Sequence, residues 1–158
     1  MQDKNKPCKA LKKARALIKK GSVSCVAIKN EEIIHTADGR GVSPLIALLD
    51  ASPELLKGSL IVDRIIGKAA AMVLTCGGAG AVYGLTMSVA AEDYLASRGI
   101  GAQYDNLIET ITNRAGDGVC PLERSVFDID DANEGLARLR ETMAELRAHA
   151  MAANSETK

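Results

Sequence analysis

Apolar residues recur along this chain in two rhythms, one helical and one strand-like. In "PCKALKKARALIKK", residues 7–20, Leu11, Ala14, Leu17 and Ile18 share one face among basic residues, and Gly21 follows. That spacing predicts an amphipathic helix with a glycine stop. "VSCVAIKN" and "EEIIHTA" are short, β-branched runs meeting at Asn30, which predicts a hairpin. "DGRG" breaks the pattern. Ser43-Pro44 then opens a helix whose apolar face is Leu45, Leu48, Leu49 and Leu56.

"SLIVDRII" fits either a strand or the lead-in to a helix, and "GKAAAMVLTCGG" is an alanine-rich helix ending at paired glycines. "AVYGLTMS" is the continuous apolar run of a buried strand. "VAAEDYLASRG" is the next helix and "AQYDNLI" another strand. Asp130 or Asp131 is placed to cap the last helix, with Glu134 at capping-box spacing and Leu136, Leu139, Met143 and Leu146 as its inward stripe. Helices alternating with strands imply parallel pairing under helices on both faces, with the hairpin as an antiparallel edge. The expected product is a three-layer α/β sandwich forming one domain over residues 1–153, with a polar tail at 154–158.

Composition narrows the chemistry. The chain has 158 residues, 47% of them hydrophobic, enough for one packed core. With no Trp, one Phe and three Tyr it offers few stacking platforms, so single-stranded nucleic acid is a poor partner. Lysines and arginines equal aspartates and glutamates, yet the start is basic and "VFDIDDANE" is acidic. The basic helix could contact a polyanion or serve as a solvated face. No apolar run is long enough for a membrane span, and no apolar segment follows the charged N-terminus as a secretory signal would require. Four scattered cysteines, Cys8, Cys25, Cys76 and Cys120, fit reduced thiols in a cytoplasm.

Several motifs invite chemistry. "GGAGAVYG" closes a helix and precedes a strand, the reverse of a nucleotide fingerprint, so a helix cap and close packing explain it. "DIDDANE" lacks the mid-loop glycine of a calcium loop. His35 and His149 stand far apart and no CxxC exists, so no metal site is expected. Lys68 opens a helix, where the dipole disfavours a cation unless an acid such as Asp63 or a bound anion answers it. The stretch "NRAGDGVCPLE" brings Asn113, Arg114, Asp117, Cys120 and Glu123 into one glycine-rich loop, and Arg124 follows. Such a loop can present backbone N–H groups to a ligand, or it can be an ordinary turn.

"RGVSPLIALL", "VDRIIGKAAAMVL" and "NRAGDGVCPLERSVFDIDD" together resemble an uncharacterised family of small prokaryotic proteins placed in the cytidine deaminase-like superfamily. The resemblance covers roughly residues 8–140. It implies an α/β/α sandwich around a mixed, mostly parallel five-stranded sheet. Deaminases of that superfamily hold zinc with His/Cys-x-Glu and Pro-Cys-x-x-Cys motifs at two helix starts. Here those starts read "IGKAAA" and "MSVAAEDY", without the ligands or the proton-shuttling glutamate, so zinc-dependent deamination is not expected.

The resemblance implies a pocket bordered by Lys68 and Ser88, with Arg40 at its rim and the loop 113–123 closing over it. A small anionic or nucleotide-like ligand would be held by Lys68 and Arg114 and oriented by Asn113, with Asp63 as a further contact and no cofactor. The competing expectations are an enzyme with Cys120 as nucleophile and Glu123 or Lys68 in proton transfer, and a non-catalytic regulatory or interaction module. Self-association is open.

Overall fold

The computed structural model describes residues 8–156. Helix α1 (Lys9–Lys20) begins where the Cys8 sulfur accepts the Leu11 N–H, and it stops at Gly21 with φ +85°. Pro7, at the expected helix start, lies outside the described residues. Strands β1 (Cys25–Lys29) and β2 (Glu32–Ala37) form the hairpin, turning through Asn30 and Glu31, both left-handed as a two-residue hairpin loop requires. Helix α2 (Ser43–Ala51) starts with Pro44 in its first turn, and a short 3-10 turn follows at Pro53–Leu55. Leu56, expected on the face of α2, lies beyond that turn, because the chain breaks at Ser52-Pro53. It is nonetheless fully buried.

The ambiguous segment is strand β3 (Leu60–Ile66). It leads into helix α3 (Lys68–Cys76), strand β4 (Ala81–Ser88), helix α4 (Val89–Ser97) and strand β5 (Gly101–Ile108). A short helix α5 (Pro121–Ser125) and the long helix α6 (Ala132–Glu156) finish the chain. The five strands form one mixed sheet in the order β2-β1-β3-β4-β5. β1 is antiparallel to both β2 and β3, while β3-β4 and β4-β5 are parallel.

Two parallel crossovers advancing in one direction place α3 and α4 on the same face of the sheet. There Ala69 to Leu74 of α3 and Ala91, Tyr94 and Leu95 of α4 pack with Ile61, Ile66, Val82 and Met87 from the strands. The opposite face carries α1, whose Leu11, Ala14 and Ile18 cover Val26, Ile28, Val62 and Tyr83. Arg15 ties α1 to the far edge: its Nη2 donates to Asp105 on β5 at 2.7 Å, the same carboxylate that accepts the Tyr83 hydroxyl.

The glycines after α3 are structural. Gly78 has φ +71°, and a Cβ on Gly80 would press against the Gly58 backbone. Asp131 caps α6, its Oδ1 accepting the N–H groups of Asn133 at 2.9 Å and Glu134 at 3.4 Å. Gly135 lets α6 close onto Met72 of α3, and Arg140 grips Asp50 of α2 through both terminal guanidinium nitrogens, Nη1 and Nη2. Leu139 is buried, and Leu136 and Met143 pack against the core. Leu146 departs from the expected stripe at 42% exposure, because α6 outruns the core beneath it. The tail expected from residue 154 begins as the last turn of this helix.

Candidate functional site

The two parallel crossovers bring the first turns of α3 and α4 to the same end of the sheet. A helix start leaves its first N–H groups without intrahelical acceptors. Gly67, the residue before α3, has no side chain with which to cap it. The acceptor comes instead from α5: Glu123 takes the Lys68 N–H on Oε2 at 2.9 Å and the Ala69 N–H on Oε1 at 3.1 Å. A Cβ at Gly67 would overlap both the Glu123 carboxylate and the Ile111 side chain, so the close approach depends on glycine there.

Burial raises the Glu123 carboxyl above its ordinary value, and the two N–H bonds and the Lys68 charge pull it back only in part. The N–H groups at the helix start are thus answered by Glu123, and Asp63 takes no part. Lys68 sends its ammonium to the Phe127 carbonyl at 3.0 Å, near the face of Tyr94.

Helix α4 begins with a local cap. Ser88, 2% exposed, accepts the Ala91 N–H on its hydroxyl at 3.1 Å. Between the two helix starts lies a cleft of about 250 Å³. One wall is scaffold: Lys68, Ser88, Val89, Ala90 and Asp93. The other comes from the chain after β5: Glu109, Thr110, Ile111, Val119, Glu123 and Phe127. The cleft therefore has an apolar lining with one lysine and three carboxylates. Phe127, the chain's single phenylalanine, stands 76% exposed on its rim.

The segment after β5 folds back on itself as a small lobe. Ile111 O accepts the Cys120 N–H at 2.9 Å, Gly118 O accepts the Asn113 N–H at 2.8 Å, and Thr112 bridges to Val119. The Asn113 amide donates to Asp117 at 2.8 Å while its oxygen accepts the Asp117 N–H. Asn113 is thus spent on its own loop, and Gly116 makes the turn with φ +73°.

The residues singled out from sequence separate into groups. Lys68, Ser88 and Glu123 meet on the cleft. Arg114 is exposed on the tip of the lobe, and Cys120 is a half-buried free thiol at the start of α5; neither lines the cleft. Arg40 is exposed in the turn before α2, beside Gly41, whose Cα side faces Leu122 of α5. Asp63 lies within β3, paired in register with Cys25. Burial raises Asp63 to about 7, opposed by the backbone N–H groups of Ile65 and Arg64 and by the Arg64 charge. Burial, and then the Asp63 charge, raise the Cys25 thiol as well.

Asp93, Glu109, Ile111, Val119 and Phe127 were not singled out from sequence. Glu109 and Thr110 could have been, because ligand contacts in open parallel sheets gather where the strands end, and these residues follow β5 directly. Among the described residues no group of three His, Cys, Asp or Glu side chains is arranged to hold a metal ion. None of the described helices is long and apolar enough to cross a membrane.

The architecture is that of an open α/β domain with a cleft at the carboxyl ends of its parallel strands. The chain belongs to the family described as "TM1506: Domain of unknown function (DUF1893)", whose model matches residues 13–143. Among solved structures it is similar to the crystal structure of a DUF1893 family protein (TM1506) from Thermotoga maritima. The two share 26% identity over 92% of each chain, with a TM-score of 0.74. No curated protein matches the sequence.

Proposed function

We propose that this chain is a zinc-free, cytidine deaminase-like domain that binds a small nucleotide-like ligand in the cleft between the starts of α3 and α4. The observation that carries the reading is the cleft itself. It opens where parallel strands end and two crossover helices begin, the usual ligand position in open α/β sheets. Its volume of about 250 Å³ and apolar lining with few polar groups suit part of a small organic molecule, such as a base or a sugar. Lys68 supplies a cation at the mouth, and the buried Ser88 hydroxyl lies at the scaffold wall.

The deaminase-like reading rests on the motifs quoted above and on the mixed sheet with both crossover helices on one face. The two helix starts, Lys68-Ala69-Ala70 and Val89-Ala90-Ala91, offer none of the residue types that hold zinc. Cys120 chemistry gains no support from its position away from the cleft lining.

A thermal-shift panel of nucleosides, nucleoside monophosphates and sugar phosphates tests the proposal. A true ligand at about a hundredfold excess over Kd adds about 2.7 kcal/mol and raises the midpoint of the wild type. The rise shrinks in Lys68→Ala. The proposal fails if no compound stabilises the wild type more than it stabilises Lys68→Ala.

A further inference from the structure

We infer that the segment spanning residues 109–127 is a lid on the cleft and that Glu123 is its latch. The inference rests on reading the cleft as a ligand site and assigns how that site opens. The two walls of the cleft differ in kind. The scaffold wall is built from the end of β4 and the starts of α3 and α4, elements whose inner faces pack in the main core. The opposite wall, Glu109 to Phe127, comes entirely from one continuous stretch of chain.

Within that stretch the lobe 109–120 is closed by its own bonds, between Ile111 and Cys120, Asn113 and Gly118, and Asn113 and Asp117. It can therefore shift as a body without losing its internal structure. Val126, fully buried, anchors the far end in the core. Polar bonds on either side of that anchor join the segment to the start of α3. Glu123 holds the N–H groups of Lys68 and Ala69, and the Lys68 ammonium holds the Phe127 carbonyl.

Gly67 is the seat of the latch, since Ile111 of the lobe and the Glu123 carboxylate rest against the same glycine. Freeing Glu123 removes the acceptor from two N–H groups and unseats Ile111's neighbour in one step. The wall made by Val119, Ile111 and Glu109 can then swing from the helix starts. With the latch set, the lobe forms the wall opposite Lys68 and Ser88. With it released, that wall stands away from them.

The native cysteines report this motion without any ligand. Cys120, half-buried where the lobe meets α5, reports on the lobe, and Cys25, 1% exposed, reports on the sealed core. Peptide-resolved alkylation of the intact protein, with hydrogen exchange over residues 66–72 and 109–120, is run on the wild type and on Glu123→Ala, Glu123→Gln and Gly67→Ala. Loss of charge-assisted bonds at the helix start increases Cys120 alkylation and exchange at Lys68 and Ala69 by about tenfold or more in Glu123→Ala. Gly67→Ala gives the same pattern from the opposite partner. In both, Cys25 rises only as far as the loss of global stability requires and stays far slower than Cys120.

The latch is refuted if Glu123→Ala leaves Cys120 and the 66–72 exchange unchanged. It is equally refuted if Cys120 reacts no faster than Cys25, which marks global opening. Should Gly67→Ala not fold, Glu123→Gln supplies the comparison, keeping one acceptor oxygen and giving an intermediate rate. A failed ligand panel would overturn the site assignment and leave these rates untouched, so the two failures are distinct.

Discussion

Helices α3 and α4 follow adjacent parallel strands and start at the same end of the sheet, yet their first turns are completed in opposite ways. The α4 start is self-sufficient, with Ser88 immediately before the helix accepting an N–H three residues on. The α3 start is dependent, since Gly67 has nothing to offer and the acceptor is a carboxylate 55 residues away. A local cap stabilises one helix. A remote cap also fixes the position of whatever carries it, here α5 and the lobe before it. The cleft has one wall because of the first arrangement and a second wall because of the other.

That contrast can be attacked at its seat. Gly67→Ala forces a methyl group into the space of the Glu123 carboxylate and Ile111, and it should cost about 2–4 kcal/mol in urea unfolding. Glu123→Ala leaves two N–H groups short of an acceptor, for a loss of about 1.5–3 kcal/mol. Because both changes break the same contact, the double variant should lose clearly less than the sum, which a double-mutant cycle measures. Additive losses would show that seat and cap are independent.

Ser88→Ala should cost about 1 kcal/mol, the usual value of a serine cap, with no change in exchange across the lobe. A lobe that loosens in Ser88→Ala would erase the distinction between the two helix starts.

The smallest effect is in pH. Burial raises Glu123 in the folded protein, so the folded state holds that proton more tightly than the unfolded chain does. Its contribution to stability is greatest below the ordinary glutamate range and declines as pH rises through the raised value. The stability difference between wild type and Glu123→Gln should therefore drift against the wild type as pH increases through that window. Ser88→Ala should run parallel to the wild type, because a hydroxyl cap does not titrate there.

Much of this fold is legible from periodicity. The seam of α1, the Asn30 turn, the glycine stop after α3 and the apolar run of β4 each follow from local pattern, and each lies where the pattern puts it. Leu56 is buried but lies outside α2, and Leu146 is exposed, because periodicity cannot see a break at Ser52-Pro53, nor where a core ends beneath a long helix.

The sequence brings Lys68, Ser88 and Glu123 forward as candidates, but their meeting is a tertiary event. Local reading offers Asp63 as the acid for Lys68, since it is only five residues away. The strand turns that side chain into a buried position beside Cys25 instead. One signal did point outward: a helix starting Gly-Lys, without a capping side chain, has N–H groups that something distant must satisfy. Nothing in the sequence says that this something is Glu123.

The contact between Glu123 and the start of α3 also has a place in time. The sheet grows through neighbours joined by single crossovers, so β3, α3, β4, α4 and β5 can dock in sequence with short loops to close. The Glu123 contact must close a far longer loop, and it can form only once α3 and the buried Val126 are both in position. This order predicts that it forms after the rate-limiting step of folding. Removing it should leave the refolding rate nearly unchanged and speed unfolding, so the residue that shuts the cleft would lengthen the lifetime of the folded state without hastening its formation.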